Sequence, residues 1–307
     1  MMNTNHTHRP LLLVLTAVCC LLATSCRQKN PEPDMADSVK LEYYDLKLER
    51  NPNNHSLLAA RAQVLFDLKR LKEAAYDINR AVELDPDNLQ YLMLKSDISF
   101  ANGSIEDSYR TLESAERLAP NNIDVQLKLG EITFYSRDYD RSLKYLTNVT
   151  SHEPNNRTAL FMKGYIYKEK GDTASAVNLL RQVTDKFPDY APAFEELGIL
   201  YATRRNPLAA EYLGTAIQLD PNNTNAVYAL AMYHQDLGNY DAAESLYRQL
   251  LDLNPNSADA WHNLGWIELT HYSDYQRAVE YFDRALAADP QHPEALANRQ
   301  VALEAQK

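Results

Sequence analysis

Between residues 53 and 290 the small, apolar and polar positions recur with one period, and proline marks it. Pro52, Pro86, Pro120, Pro154, Pro188, Pro221, Pro255 and Pro290 are spaced 34, 34, 34, 34, 33, 34 and 35 residues apart. Several are followed by Asn-Asn or Asp-Asn, as in Asp220-Pro221-Asn222-Asn223. Proline cannot continue a helix, and Asn or Asp caps a new one, so each marker predicts one helix ending and another starting. Ten positions after each marker stand Ala62, Ser96, Gly130, Gly164, Gly198, Ala231 and Gly265, all small. A second small column runs Ala74, Ser108, Ser142, Ala176, Ala209, Ala243 and Ala278, and a looser third runs Ala81, Ala115, Val149, Val183, Ala216, Leu250 and Ala285. Large residues fill the complementary column: Ile78, Leu112, Leu146, Leu180, Leu213, Tyr247 and Phe282. Antiparallel helices whose axes approach to about 8–10 Å or less need missing side chains where they cross. The pattern therefore predicts seven helix–turn–helix pairs, a solenoid period.

The array is flanked by two further helices. Residues 37–50 read as an unpartnered helix, with Leu41, Tyr44, Leu46 and Leu48 supplying apolar contacts. Residues 293–305 read as a last helix with Leu296, Val301 and Leu303 turned inward and a polar outer face, as a terminal cap needs.

These columns resemble the tetratricopeptide repeat family. Its succession of aromatic, Leu-Gly, Tyr, Ala, aromatic, Ala and Pro is nearly complete in Trp261, Leu264-Gly265, Ala278, Phe282, Ala285 and Pro290. It recurs in Phe194, Leu197-Gly198, Tyr201, Ala209, Leu213, Ala216 and Pro221. The fifth repeat lacks one turn residue around 204–207, and the seventh has one extra around 271–274. Arg61, Lys95 and Lys163 stand where the family has Leu. The resemblance implies an all-α right-handed superhelical solenoid: seven repeats over 53–290, an N-terminal helix over 37–52 and a capping helix over 291–307.

It also implies a concave face lined by the first helix of each pair, with ligand-facing positions 4, 7, 11, 14 and 15 residues after the marker. One such column reads Phe66, Phe100, Phe134, Lys168; a second reads Ala59, Met93, Leu127, Phe161, Glu195, Tyr228, His262; a third reads Gln63, Asp97, Glu131, Tyr165, Ile199, Met232, Trp266. The implied binding residues are Phe66, Phe100, Phe134, Phe161, Tyr165, Tyr228, Met232, Trp266, Asp97 and Glu131. The five columns hold eight acids and one base, Lys168. An aromatic, acidic groove suits a protein or peptide with apolar anchors and basic residues. The bland alternative is that Phe66, Phe100 and Phe134 pack against the next repeat and the acids only solvate the surface. Tyr165 and Trp266 stand out, because Tyr167 and Trp261 already fill the core aromatic roles in their repeats.

The N-terminus carries an address. His6, His8 and Arg9 precede an apolar run from Leu11 to Leu22, shorter than the roughly 20 residues that span a bilayer and fitting the core of a secretory signal. Leu22-Ala23-Thr24-Ser25-Cys26 then resembles a bacterial lipobox, which implies cleavage of 1–25 and diacylglyceryl attachment to Cys26; an ordinary signal cleaved near Ser25 is the alternative. Arg27 follows where an inner-membrane retention signal would place Asp, so the periplasmic side of the outer membrane is expected. Residues 26–36, with Pro31 and Pro33, read as a short tether.

Composition narrows the chemistry. The net charge is −11, and no basic run exists to supply the footprint of a nucleic-acid binder. Cys19, Cys20 and Cys26 are the only cysteines, so the repeats hold neither a disulfide nor a Cys-ligated metal. Gly103, Gly171 and Gly238 fall in turns where positive φ is useful, four more glycines fall at helix crossings, and Gly214 alone is left over inside a helix. No phosphate-cradling loop remains. No histidine pair has a metal-binding spacing, and the adjacent Glu195 and Glu196 point to different sides of a helix. The reading is a lipid-anchored protein-binding scaffold with no cofactor, metal or catalytic constellation, serving cell-envelope assembly, secretion or peptidoglycan-related complexes. A glycan- or nutrient-capturing lipoprotein, stacking sugars on Trp266 and Tyr165, is the alternative.

Overall fold

The computed structural model describes residues 36–307, so the signal, Cys26 and most of the tether lie outside the described residues. Those residues form sixteen helices and no strand. They divide into two compact units, 36–86 and 87–307.

The first unit holds α1 (Asp37–Arg50), α2 (His55–Asp67) and α3 (Leu71–Leu84). Leu41, Tyr44 and Leu48 form one buried stripe on α1, but Leu46 is 56% exposed, contrary to expectation. At about 100° per residue, a side chain two positions from both Tyr44 and Leu48 lies on the far side of the helix. Arg61 of α2 takes a different role from the Leu of the family pattern. Its guanidinium donates to both carboxylate oxygens of the buried Asp77 on α3, at 2.6 and 2.8 Å, and to Asp45 on α1 at 2.6 Å. One forked donor thus ties three helices together.

The second unit holds six pairs: α4 (Leu89–Ala101) with α5 (Ile105–Leu118), α6 (Ile123–Tyr135) with α7 (Tyr139–His152), α8 (Arg157–Glu169) with α9 (Thr173–Lys186), α10 (Ala191–Ala202) with α11 (Leu208–Leu219), α12 (Thr224–Asp236) with α13 (Tyr240–Leu253), and α14 (Ala258–Ile267) with α15 (Tyr275–Ala288). A last helix, α16 (Pro293–Ala305), follows. The proline markers act as expected. Two residues after them, the side chains of Asn54, Asn88, Asn122, Asn156, Asn223 and Ser257 each accept from the backbone N–H three residues on, satisfying a donor that the helix leaves free.

The crossing columns meet as their sizes require. A Cβ added to Gly265 would lie 2.7 Å from Phe282 Cε1, and one on Gly130 would lie 2.7 Å from Leu146 Cδ2. In the α4/α5 pair both facing positions are serine, and their hydroxyls lie 2.8 Å apart. The opposing large residues from Leu112 to Phe282 are fully buried.

The two irregular repeats absorb their length differences in the turn. The short fifth repeat passes through Arg205 at φ 50° and starts α11 directly behind Pro207. In the seventh, the extra residue widens the end of α14 into a π-helical turn, Glu268–Tyr272, closed by Ser273 at φ 54°. That turn buries Glu268, which pairs with Arg277 at 2.9 Å.

The capping helix departs from expectation. Its buried residues are Ala295 and Ala302, while Leu296 and Val301 are 50% and 52% exposed. Small side chains again make the close contact, and the larger ones are left on the flanks. The outer face of α16 is therefore only partly polar.

Two glycines separate the two uses of a missing side chain. Gly265→Ala is expected to destabilise the protein by about 1–3 kcal/mol through overpacking against Phe282. Gly214, inside α11 with nothing within 4 Å of an added Cβ, is expected to give about 0.5–1 kcal/mol of added stability as Gly214→Ala. Urea unfolding midpoints at unchanged m-value check both.

Candidate protein-binding face

Within the 87–307 unit, the first helices of neighbouring repeats touch one another: α6 meets α8, α10 meets α12, and α14 meets α16. The stripe that these helices turn away from their second helices is the side that the resemblance assigns to a ligand, its inner side. Phe66 belongs to the other unit, where it is half-buried on α2 with the Lys69 ammonium 5.6 Å from its ring centroid.

Aromatic contact joins the first part of the inner side. Phe100 of α4 lies 5.0 Å from Tyr135 of α6, and Phe134 lies 5.4 Å from Tyr165 of α8 in an edge-on arrangement. Phe161 packs at 6.5 Å from Tyr165 and at 5.3 Å from Tyr190, edge-on, at the entrance to α10. Tyr165 and Phe161 are buried by these contacts, whereas Phe100 and Phe134 are half-buried. Two ring faces carry a cation already: Lys168 over Tyr165 at 4.2 Å and Arg157 over Tyr190 at 4.7 Å.

Polar links join most seams. Lys128 of α6 pairs with Asp97 of α4. Lys168 of α8 pairs with Glu196 of α10 at 2.6 Å, so the one base of the five ligand-facing columns is consumed within the fold. Asn223, at the start of α12, donates to Glu195 of α10 at 2.7 Å. The adjacent Glu195 and Glu196 thus serve opposite neighbours, as their angular separation implies. Asn263 of α14 donates toward Tyr228 Oη and Met232 Sδ of α12, both at 3.4 Å. Between α14 and α16, His262 meets Asn298 at 3.0 Å and stacks on His292 at 5.0 Å. Trp266 is half-buried, 6.3 Å from Tyr240, whose ring also meets His271 at 4.3 Å.

Glu131 is 7% exposed; the buried side-chain atoms without a hydrogen-bond partner among the described residues are His234 Nδ1 and Glu268 Oε2. Burial pushes the Glu131 carboxyl up to about 7; Lys128 opposes this and Asp97 reinforces it. Glu195 is likewise pushed up to about 7 by burial, against the hydrogen bond from Asn223. Of the residues in the sequence columns, Phe134 and Phe161 each come into ring contact with Tyr165, and Asp97 acts electrostatically on Glu131. The columns missed Lys128, Arg157, Tyr190 and Glu196, which stand outside the five ligand-facing positions. Lys128, Arg157 and Glu196 are each adjacent in sequence to one of those positions, and Tyr190 stands two residues from the nearest. Among the described residues no cluster of three or more His, Cys, Asp or Glu is arranged to hold a metal, and no helix is long and apolar enough to cross a membrane.

Comparison with known proteins gives the fold a lineage. A family model described as tetratricopeptide repeat matches residues 42–88, 60–123 and 228–306, more than half of the chain. A second model with the same description matches 133–197. Among curated proteins, the protein adenylyltransferase Fic of Aedes aegypti is 34% identical over 89 residues, which cover 27% of this chain and 18% of that protein. The chain thus spans under a fifth of that relative's length. Among solved structures, YrrB, described as a TPR protein with an unusual peptide-binding site, matches with a TM-score of 0.50 at 24% identity, over 62% of this chain and 98% of its own. The APC/C hetero-tetramer Cut9–Hcn1 matches with 0.62 at 16% identity, over 86% and 52%. Yeast Tom70 matches with 0.54 at 20% identity, over 88% and 59%. At these identities the likeness establishes the fold: an all-helical repeat solenoid.

The buried carboxyls make stability depend on pH. A carboxyl whose folded value is raised binds its proton more tightly in the native state. The associated stability is fully present below about 4.5 and is lost as pH rises through about 7. For Glu131 the full loss is on the order of 3 kcal/mol. The protein is expected to melt at a higher temperature at pH 5.5 than at pH 8. Glu131→Gln should shrink that difference; an unchanged difference in calorimetry would show that the carboxyl is already ionised at pH 5.5.

Proposed function

We propose that this chain, which belongs to the tetratricopeptide repeat family, is a non-catalytic scaffold that holds protein partners on the inner face of its first helices. We further propose that lipid on Cys26 tethers it to the periplasmic side of the outer membrane, where it serves an envelope assembly, secretion or peptidoglycan-related complex. One observation carries the binding reading. The inner face offers Phe100, Phe134, Met232 and Trp266 half-buried beside Glu131 and Glu195, while its bases Lys128 and Lys168 are neutralised by Asp97 and Glu196. What is left for a partner is apolar and acidic. Aromatic anchors in partly desolvated positions carry most interface energy, and charge complementarity selects the partner. A preformed array also spares the partner much of the ordering cost of binding.

A photo-crosslinking residue at Met232, on the inner face, should capture a defined envelope protein in cells. One at Arg181, exposed on the second helix α9, should not. Equal capture from both positions would sink the inner-face reading. Capture of glycan and no protein at Met232, abolished by Trp266→Ala, would favour sugar stacking on the Trp266–Tyr240 cluster instead.

The tether makes a separate claim. A multiply acylated cysteine buries about 0.8 kcal/mol per CH₂ in the bilayer, so the protein should sediment with outer membranes. Cys26→Ala should move it to the soluble periplasmic fraction; unchanged sedimentation would remove the lipid anchor from the proposal.

A further inference from the structure

The helix after the last marker is capped differently from the others. Asn54, Asn88, Asn122, Asn156, Asn223 and Ser257 accept with a side-chain oxygen that does not titrate. Two residues after Pro290 the acceptor is a ring nitrogen, Nδ1 of His292, which takes the Ala295 N–H at 3.2 Å. A backbone N–H only donates, so Nδ1 carries the lone pair and the ring proton sits on Nε2, 3.2 Å from Asp259 Oδ1 of α14. His262 of α14 stacks on this ring with centroids 5.0 Å apart. Asn263 directs its amide nitrogen at Tyr228 and Met232, so its oxygen accepts from His262 Nδ1 at 3.1 Å. His262 Nε2 is then a lone pair as well, and it accepts from Asn298 Nδ2 of α16 at 3.0 Å. Two neutral imidazoles thus hold α16, one at its first turn and one at its middle.

A proton on either ring removes the lone pair that makes its contact with α16. At His292 it sets one N–H against another and leaves the buried Ala295 donor without its acceptor. The groups facing the pair are Asp259 from α14, Glu294 from α16 at 3.4 Å from His292 Nδ1, and Tyr228 from α12, which senses both carboxylates; α15 contributes the Phe282 ring, 5.7 Å from His262. The two carboxylates favour a protonated ring, but their side chains are 71% and 65% exposed, so water screens them. Glu294 also takes an Nδ1 proton only in place of the cap. Burial, reinforced by His292, lowers His262 from its ordinary 6.5. A histidine lowered in the fold contributes stability that is fully present above about 6.5 and is lost as pH falls below it. Few other contacts oppose release. The buried residues of α16 are Ala295 and Ala302, and its ion pair of Arg299 with Asp283 is exposed. The end of a repeat array also opens independently of its interior.

We propose that His292 and His262 make α16 an acid-released cap: protonation of the stacked pair withdraws the acceptor at the first turn and the anchor at Asn298, and the helix detaches from α14 and α15 while the six pairs before it stay folded. Release uncovers the apolar cluster around Phe282, which Ala295 and Ala302 close at neutral pH, and ends the run of first helices at α14. The proposal does not depend on what the inner face binds.

The test is hydrogen exchange read by mass spectrometry on the full chain in detergent, with labelling times scaled to the intrinsic rate at each pH. Between pH 7.5 and pH 5.0, protection over 293–305 should fall about tenfold, the order expected when one proton is taken up mainly by the released helix. Protection over 258–288 should hold to within about twofold. His292→Asn, which installs the cap used at the other markers, should keep the helical content and remove most of the fall; adding His262→Gln should remove the rest. His292→Ala should lower protection over 293–305 already at pH 7.5. Equal protection of wild-type 293–305 at both pH values would overturn the proposal, as would a fall that persists in the double variant. A fall shared by 258–288 would overturn it too, because that is general weakening and not release of a cap. Glu131 moves general stability the other way, upward in acid, so a loss confined to 293–305 belongs to α16.

Discussion

The close crossing of the two helices in each repeat is the constraint on which the rest of the structure depends. Gly130, Gly198 and Gly265 leave no room for a Cβ against Leu146, Leu213 and Phe282. The large residue enters the space that the small one vacates and is wholly buried there. Burying such a side chain gives about 1.5–3 kcal/mol, repeated once per pair, and neighbouring pairs add their own seams in a nearly one-dimensional sum. Because the second helix supplies the filling residue, the first helix is held from behind. Its opposite stripe is free of core duty, and that freed stripe is what a partner can meet.

The seams between first helices are wetter and more specific than the crossings. Ion pairs such as Lys168 with Glu196 lie in partly desolvated surroundings, where the cost of dehydrating both charges offsets much of their attraction. Their structural value is in fixing which neighbour each charge serves. Glu195 and Glu196 illustrate this: adjacent on one helix, they bind the following and the preceding repeat respectively.

The repeats were legible because each column is dictated locally. A proline stops a helix, an Asn two residues later caps the next, and a crossing admits only small residues whatever lies elsewhere in the chain. The inner-face aromatics followed from their column positions. The pairing of charges did not, because Lys128 with Asp97 and Lys168 with Glu196 join residues about a repeat apart through positions that the five columns omit. Nor did the burial at the ends. Leu46, Leu296 and Val301 are apolar in a helical pattern, but a terminal helix has a neighbour on one side only, and hydrophobicity alone does not say which side. The extra residue of the seventh repeat was visible as a spacing of 35; that a π-helical turn would absorb it was not.

The same crossing rule can be applied to the two flanking helices. Measured back from Pro52, α1 aligns with the second helices, and Tyr44 falls in the large column. Yet Lys40 and Lys47 occupy the two columns that hold Ala74 and Ala81 one repeat later. A first helix could not approach across those side chains. Lys40 instead pairs with Asp37 at 3.1 Å, and Lys47 lies over Tyr43 at 5.4 Å. Measured on from Pro290, α16 aligns with the first helices, and Gln300 stands in the column of Gly265. Its amide turns to Glu304 at 2.7 Å, where a crossing helix would have needed a small residue. Each end is thus half a repeat whose crossing position has been filled with a long polar side chain. Apolar residues left beside them, such as Leu46 and Leu296, are scattered singly among charges, as on ordinary protein surfaces. Both flanking helices thus carry a long polar side chain at the positions where the repeats carry a small one. The six complete pairs of the 87–307 unit present a continuous run of first helices.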